Sequence, residues 1–173
     1  MLILFFIMTN FIYPIIFDFT KETNVSRWKI LDDVVMGGRS KGSFKINKDG
    51  HGQFYGDISL ENNGGFSSVR YRTIIERLSL SDTIEIRLKG DGKNYQFRVK
   101  HNLGAYYSYI YPFQTSGEWE TIKIPLNQMY PYFRGRKLRS PNFSHTTIEE
   151  VTFLISNKKA EKFELLLDKI EIM

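Results

Sequence analysis

Apolar and polar residues alternate with a period of two along most of the chain. Ile84, Ile86 and Leu88 share one parity and Glu85, Arg87 and Lys89 the other, as in a strand with one face buried. Tyr95, Phe97 and Val99 alternate with Gln96, Arg98 and Lys100 in the same way. Gly90-Asp-Gly-Lys-Asn94 lies between them, so residues 83–100 are predicted to form a β-hairpin. Phe54, Gly56, Ile58 and Leu60 mark another strand, and Val151, Phe153 and Ile155 a further one. The run Lys162 to Ile172 closes the series with Phe163, Leu165, Leu167, Ile170 and Ile172. No long window shows a helical period, and residues 76–82 and 125–130 have room for one helical turn each. The pattern predicts an all-β fold, an antiparallel β-sandwich of about nine or ten short strands. Ile15 to Phe19 and Glu164 to Ile172 are expected to pair, which would bring the two ends together.

Two stretches depart from this alternation. Trp119 has the opposite parity to Ile122 and Ile124, so either a bulge intervenes or Trp119 packs on the other face. In Ala105 to Phe113, Tyr107, Tyr109, Tyr111 and Phe113 share one parity while Tyr106 and Ile110 take the other. Both faces of that strand are large.

At 173 residues the chain suits a single domain that buries about two thirds of its unfolded surface. That domain is predicted to span residues 15–173, after an N-terminal extension of residues 1–14. Leu2 to Met8 is wholly apolar, yet no positive region precedes it and no small-residue cleavage site follows. Thr9, Asn10 and Pro14 interrupt it, leaving it too short to span a bilayer. Met8 is therefore read as the true start, with a cytoplasmic protein following; a signal or anchor, with export, is the alternative. Twenty-four basic against nineteen acidic residues give a net charge of +5. Most of the excess lies between Arg134 and Arg139. This is compatible with an anionic partner but falls short of a nucleic-acid footprint, so no nucleic acid is expected. Cysteine is absent, which excludes disulfides and thiolate chemistry. His51, His101 and His145 lie on separate segments without metal-ligand spacing, so neither metal nor cofactor is predicted.

The candidate chemistry gathers in two loops. Trp28 to Ser40 carries a buried-looking aliphatic run with two adjacent acids, Asp32 and Asp33, then Gly37, Gly38, Arg39 and Ser40. Two glycines together permit positive φ and close approach of other groups. Adjacent residues on an extended segment point to opposite sides, so the acids are read as a structural pair. One caps the bend or meets Arg39, and the other is solvated. A second loop holds Asn62, Asn63, Gly64, Gly65 and Phe66 before Arg70, with amides suited to satisfying exposed backbone. Arg134 and Arg136 offer bidentate donors for an anion. Tyr107, Tyr109 and Tyr111 are the candidates for stacking on sugar rings. Trp28, Trp119 and the paired glycines Gly37, Gly38, Gly64 and Gly65 are read as structural.

In order along the chain, these motifs resemble the complex I intermediate-associated protein 30 family. They are Asp32-Asp-Val-Val-Met-Gly-Gly-Arg-Ser40, Leu60-Glu-Asn-Asn-Gly-Gly-Phe-Ser-Ser-Val-Arg70, Gly90-Asp-Gly-Lys-Asn-Tyr95, Phe133-Arg-Gly-Arg136 and Phe163-Glu-Leu-Leu-Leu-Asp-Lys-Ile170. The resemblance covers residues 15 to 173 and implies a galactose-binding-domain-like jelly roll. It also implies an assembly or chaperone-like role of the kind its mitochondrial members play for respiratory complex I. No catalytic residues come with it. The expectation is a non-enzymatic binding domain for an unidentified protein partner, using Asp32, Asp33, Arg39, Ser40, Asn62, Asn63, Phe66, Arg70, Arg134 and Arg136. Carbohydrate binding through the tyrosine-rich strand and the asparagine loop is the alternative. An enzyme would require a cleft joining Asp33 to Glu61 or Asp91.

Overall fold

The structure is a computed structural model that describes residues 14–173; the expectations for Met8 as the start, and for a signal or anchor, lie outside the described residues. The chain runs through β1 (Ile15–Asp18), β2 (Trp28–Asp32), β3 (Lys41–Ile46), β4 (Gly52–Ile58), β5 (Ser67–Ile75) and β6 (Thr83–Lys89). It continues through β7 (Asn94–Lys100), β8 (Ser108–Gln114), β9 (Trp119–Pro125), β10 (Tyr130–Phe133), β11 (Arg136–Lys137), β12 (Ile148–Ile155) and β13 (Glu161–Ile172). These strands make two antiparallel sheets. The smaller has the order β3-β4-β13-β6-β9, with β1 also paired to β13; the larger has the order β11-β10-β8-β7-β12-β5-β2.

The predicted alternation holds because the central strands of both sheets turn one parity inward. Ile84, Ile86, Leu88, Leu165, Leu167 and Ile170 from the smaller sheet are fully buried, as are Val69, Phe97, Val151 and Phe153 from the larger. At one end Trp28 anchors an aromatic cluster. Its ring stacks on Tyr71 at 5.1 Å and meets Phe17, Phe19 and Phe44 at 5.1–5.5 Å. Register supports this contact, since Trp28 lies directly opposite Tyr71 across β2 and β5. β1 pairs with β13 as predicted, Ile15 facing Glu171. A 3-10 turn at Leu126–Gln128 occupies one of the two short helical slots.

The expected hairpin over residues 83–100 does not form. β6 pairs with β13 and β9, whereas β7 pairs with β12 and β8. The glycine-rich turn is a corner that carries the chain from one sheet to the other. Asp91 fixes it, accepting hydrogen bonds from the Tyr95 hydroxyl at 2.9 Å and from the Glu164 N–H at 2.9 Å. Gly90 sits so close to Thr115 that an added Cβ would lie 2.4 Å from it. Alternation specifies which face of a strand is buried and leaves its partner open.

Trp119 resolves the second question. It pairs in regular register with Lys89, without a bulge, and so lies on the outer face of the smaller sheet. There it packs against His51 at 4.5 Å and under the Arg87 guanidinium at 5.5 Å. Asp168 ties the group together, 3.2 Å from His51 and 3.1 Å from Arg87.

Candidate functional site

The bend after β2 is built around two aspartates that act separately, as their parity requires. Asp32 ends β2 in extended conformation. Its carboxylate accepts the Gly42 N–H at 2.9 Å and the Ser67 hydroxyl, joining β2 to the first residues of β3 and β5. Asp33 opens a 3-10 turn, Asp33–Met36, and is 0% exposed. Its carboxylate accepts the Ser40 N–H at 3.0 Å, the Ser40 hydroxyl, and the N–H groups of Gly65 at 2.6 Å and Phe66 at 3.2 Å. The Ser40 hydroxyl in turn accepts the Ser59 N–H at 3.0 Å. Burial pushes the Asp33 carboxyl upward, but the donors from Ser40, Gly65 and Phe66 outweigh it and hold the group below the usual carboxylate range.

The glycines belong to this arrangement. A Cβ on Gly38 would lie 2.3 Å from Asp33 Oδ1, and one on Gly64 would lie 2.6 Å from Oδ2. Gly37 has φ +90° and open space around it. Its carbonyl accepts the Asn62 side-chain N–H at 3.0 Å. Asn62 and Asn63 both take left-handed backbone, φ 56° and 58°, a conformation asparagine tolerates better than most residues.

Arg39 corrects the expectation of a contact with the neighbouring acids. It pairs with Glu61 at 2.7 Å, on the exposed side of the second loop. The two glycine-rich loops therefore form one unit, joined inside by Asp33 and outside by Arg39 and Asn62. Both aspartates are engaged as acceptors, so the expectation that one of them is solvated does not hold.

What the unit presents is apolar. Val34, Val35 and Met36 are 58%, 68% and 67% exposed. The aliphatic run that looks buried in sequence is therefore half surface, because the 3-10 turn breaks the strand at Asp33 and swings these three side chains outward.

The other predicted residues are distributed elsewhere. Phe66 is half-buried beside the bend, while Arg70 is on the outer face of β5. Arg134 and Arg136 flank the β10–β11 turn, at the opposite edge of the larger sheet from β2, so the expected surface is divided. Of the proposed stacking set, Tyr109 is buried, and Tyr107 and Tyr111 pack against the core. All three share the inward parity, but Tyr107 and Tyr111 remain half-buried rather than closed off.

The structure also joins two histidines that sequence reasoning left apart. The rings of His101 and His145 stack in parallel at 3.7 Å. His145 shares a hydrogen bond with the Tyr109 hydroxyl at 2.9 Å, and Tyr109 with Tyr107 at 3.3 Å. A cavity of about 590 Å³ opens beside them, lined also by Tyr107, Asn102, Thr147 and Glu149. Burial, and then the neighbouring His145, push the His101 imidazole below its ordinary value. Among the described residues no group of three or more His, Cys, Asp or Glu side chains is placed to hold a metal ion, and no helix is long and apolar enough to cross a membrane.

Two face-to-face antiparallel sheets, closed by locked loops at one end, define a β-sandwich domain of the galactose-binding-like jelly-roll class. Family 11 carbohydrate-binding modules of Clostridium thermocellum share this architecture. One superposes with a TM-score of 0.69 at 16% identity, over 93% of this chain and 94% of the module. A second structure of a family 11 module, in complex with a β-1,3-1,4-mixed-linked tetrasaccharide, superposes at 0.64 with 18% identity, over 88% of this chain and 91% of the module. Residues 17–167 match the family model of complex I intermediate-associated protein 30, and the chain belongs to that family. The mitochondrial mouse protein of that name is 22% identical over 91% of this chain. The chain spans about half the length of that relative, 55%.

Proposed function

We propose that this chain is a non-enzymatic binding domain that acts as an assembly or chaperone-like factor for a protein complex. The observation that carries this reading is the exposed Val34-Val35-Met36 triplet on a turn immobilised by buried Asp33. Apolar side chains held rigidly in water make a preorganised docking knob, because little further entropy is lost when a partner covers them. The mouse relative's name, which refers to an intermediate of complex I, supports a role on partly built assemblies. Engagement of Asp32 and Asp33 by backbone and serine donors supports binding rather than catalysis. The carbohydrate alternative draws on the shared sandwich fold, but with Tyr109 buried and Tyr107 and Tyr111 packed against the core the three rings form no continuous stacking platform.

The test is affinity purification of the tagged full chain from its own cells, followed by mass spectrometry. Wild type is compared with a Val35→Ser, Met36→Ser double variant. A reproducible set of proteins, lost in the variant at unchanged melting temperature, is the expected result. Equal recovery by both forms, or no reproducible partner for wild type, would refute the reading.

A further inference from the structure

The outer face of the larger sheet carries charge that neither loop explains. β12 lies between β5 and β7, and register fixes three rungs across them. Leu154 faces Ser68 and Gln96, Thr152 faces Arg70 and Arg98, and Glu150 faces Arg72 and Lys100. The intervening residues Val151, Phe153, Val69, Phe97 and Val99 fill the core, so these three rungs point outward. The result is a groove along β12, with a floor of Leu154, Thr152 and Glu150 and long cationic side chains on either wall. Along that floor Leu154 is 7% and Glu150 5% exposed, so Thr152, half-buried, is the part left open between the walls. Beyond the β5 wall, Lys29 of β2 lies directly opposite Arg70, and a separate cavity of about 360 Å³ there is lined by Arg27, Lys29, Arg70 and Arg72.

The cations are largely uncompensated. Arg72 reaches Glu150 at 3.4 Å. Among the described residues, none of Lys29, Arg70 and Arg98 has a carboxylate within ion-pair distance. Arg98 is held by a neutral group, donating from Nε at 3.1 Å and Nη2 at 2.6 Å to the Gln96 side-chain oxygen, with the Tyr132 ring 5.7 Å away. A neutral amide orients a guanidinium but leaves its charge open for an incoming carboxylate. Like charges placed directly opposite, such as Lys29 and Arg70, repel one another until an anion comes between them.

We propose that this groove binds an extended acidic segment of a protein partner, lying along β12 with carboxylates at alternate positions. This rests on the protein-assembly reading above and names the partner's chemistry. Spacing supports an extended chain. Arg70 and Arg72, like Arg98 and Lys100, recur every second residue, about 6.8 Å, the same repeat as alternate side chains of an extended peptide. The walls stand two strand spacings apart, about 10 Å, which admits an extended chain better than a helix of about 10–12 Å diameter. The tyrosines along this face already carry cations, Lys137 lying 4.6 Å from the Tyr130 ring and Arg98 over Tyr132. The groove therefore offers charge rather than free rings for sugars. Its Leu154 end shares a rung, through Ser68, with Leu31. That rung adjoins Asp32, the last residue of β2 before the turn that carries Val34–Met36.

The test is fluorescence anisotropy of the full chain with a labelled synthetic peptide that alternates glutamate and serine. The expected result is saturable binding that weakens about tenfold or more as salt rises well above physiological strength. Arg70→Glu and Arg98→Met should each weaken it by about tenfold or more, while Lys48→Glu, in the β3–β4 turn of the smaller sheet, leaves it unchanged. Melting curves check each variant; if Arg98→Met is unfolded, Arg70→Glu alone decides. Absence of saturable binding at low salt, or binding unaffected by Arg70→Glu, overturns the proposal. So does tighter binding of polygalacturonate than of the peptide with the same arginine dependence, which would make this a glycan site. Partner recovery from cells that survives Arg70→Glu but not Val35→Ser, Met36→Ser overturns the groove and leaves the assembly reading intact. Tight peptide binding without any reproducible cellular partner does the reverse.

Discussion

Replacing Asp33 with asparagine keeps the side-chain shape and removes its charge. If the amide oxygen takes the place of Oδ2, it still accepts from the Ser40 hydroxyl, Gly65 and Phe66, but its NH2 faces the Ser40 N–H that Oδ1 satisfied. Bonds to a charged acceptor contribute about 1.5–3 kcal/mol each against about 1 for neutral ones, and a buried donor left unpaired costs about 1–3 kcal/mol. The terms are not additive, and a loss of about 3–5 kcal/mol is expected, a large share of the stability of a domain this size. Urea denaturation across pH 3–7 is the assay. The carboxyl is held low in the folded state, so below the ordinary carboxylate range, about 3.9, the unfolded chain binds the extra proton. Its contribution is therefore complete above that range and fades as pH falls through it. The gap between wild type and Asp33→Asn should be widest above about pH 5 and narrow toward pH 3. A loss below about 1 kcal/mol at pH 7, or a gap that does not change with pH, would refute the account of Asp33 as a charged tether.

The two glycines of the bend should respond differently. Gly38→Ala drives a methyl onto a carboxylate pinned by its donors and should cost about 2–3 kcal/mol, whereas Gly37→Ala meets only backbone strain at φ +90°, about 1–2 kcal/mol; urea midpoints of both variants compare them. His101 should titrate below its ordinary value of 6.5, so NMR titration of its ring should give a lower midpoint in the folded protein than in urea. Because the unfolded chain takes up that proton first, stability should fall as pH drops below about 6.5, and a His101→Asn variant should lack that component.

Much of the architecture is legible along the chain, because alternation reports burial directly. Which strand lies beside which is not. The turn at Gly90–Asn94 has hairpin composition, yet it serves as a corner between sheets, and only the packing of Gly90 on Thr115 and the bonds to Asp91 reveal that. The separation of Asp32 from Asp33 follows from parity and is found in the structure. The exposure of Val34, Val35 and Met36 was hidden by their apolar character, since nothing local announces that the strand ends at Asp33. His101 and His145 meet across distant segments, beyond the reach of any spacing rule. The cationic groove lies between these cases. Each outward arginine can be assigned to a polar parity, but placing Arg70 and Arg98 on either side of Thr152 requires the strand order.

That order has a consequence for how the molecule is made. β13 lies between β4 and β6 and also holds β1, so the central strand of one sheet is the last of the strands to be synthesised. As the chain grows on a ribosome, β3 and β4 can pair, and later β6 and β9, but the two pairs share no neighbour until Glu161–Ile172 has emerged. Until then the edges of β4 and β6 are open templates and the inner face of the larger sheet has only a divided cover. Each nascent chain thus spends most of its synthesis as an incomplete sandwich. A ribosome stalled before residue 161 would hold a sticky, half-covered sheet rather than a shortened domain.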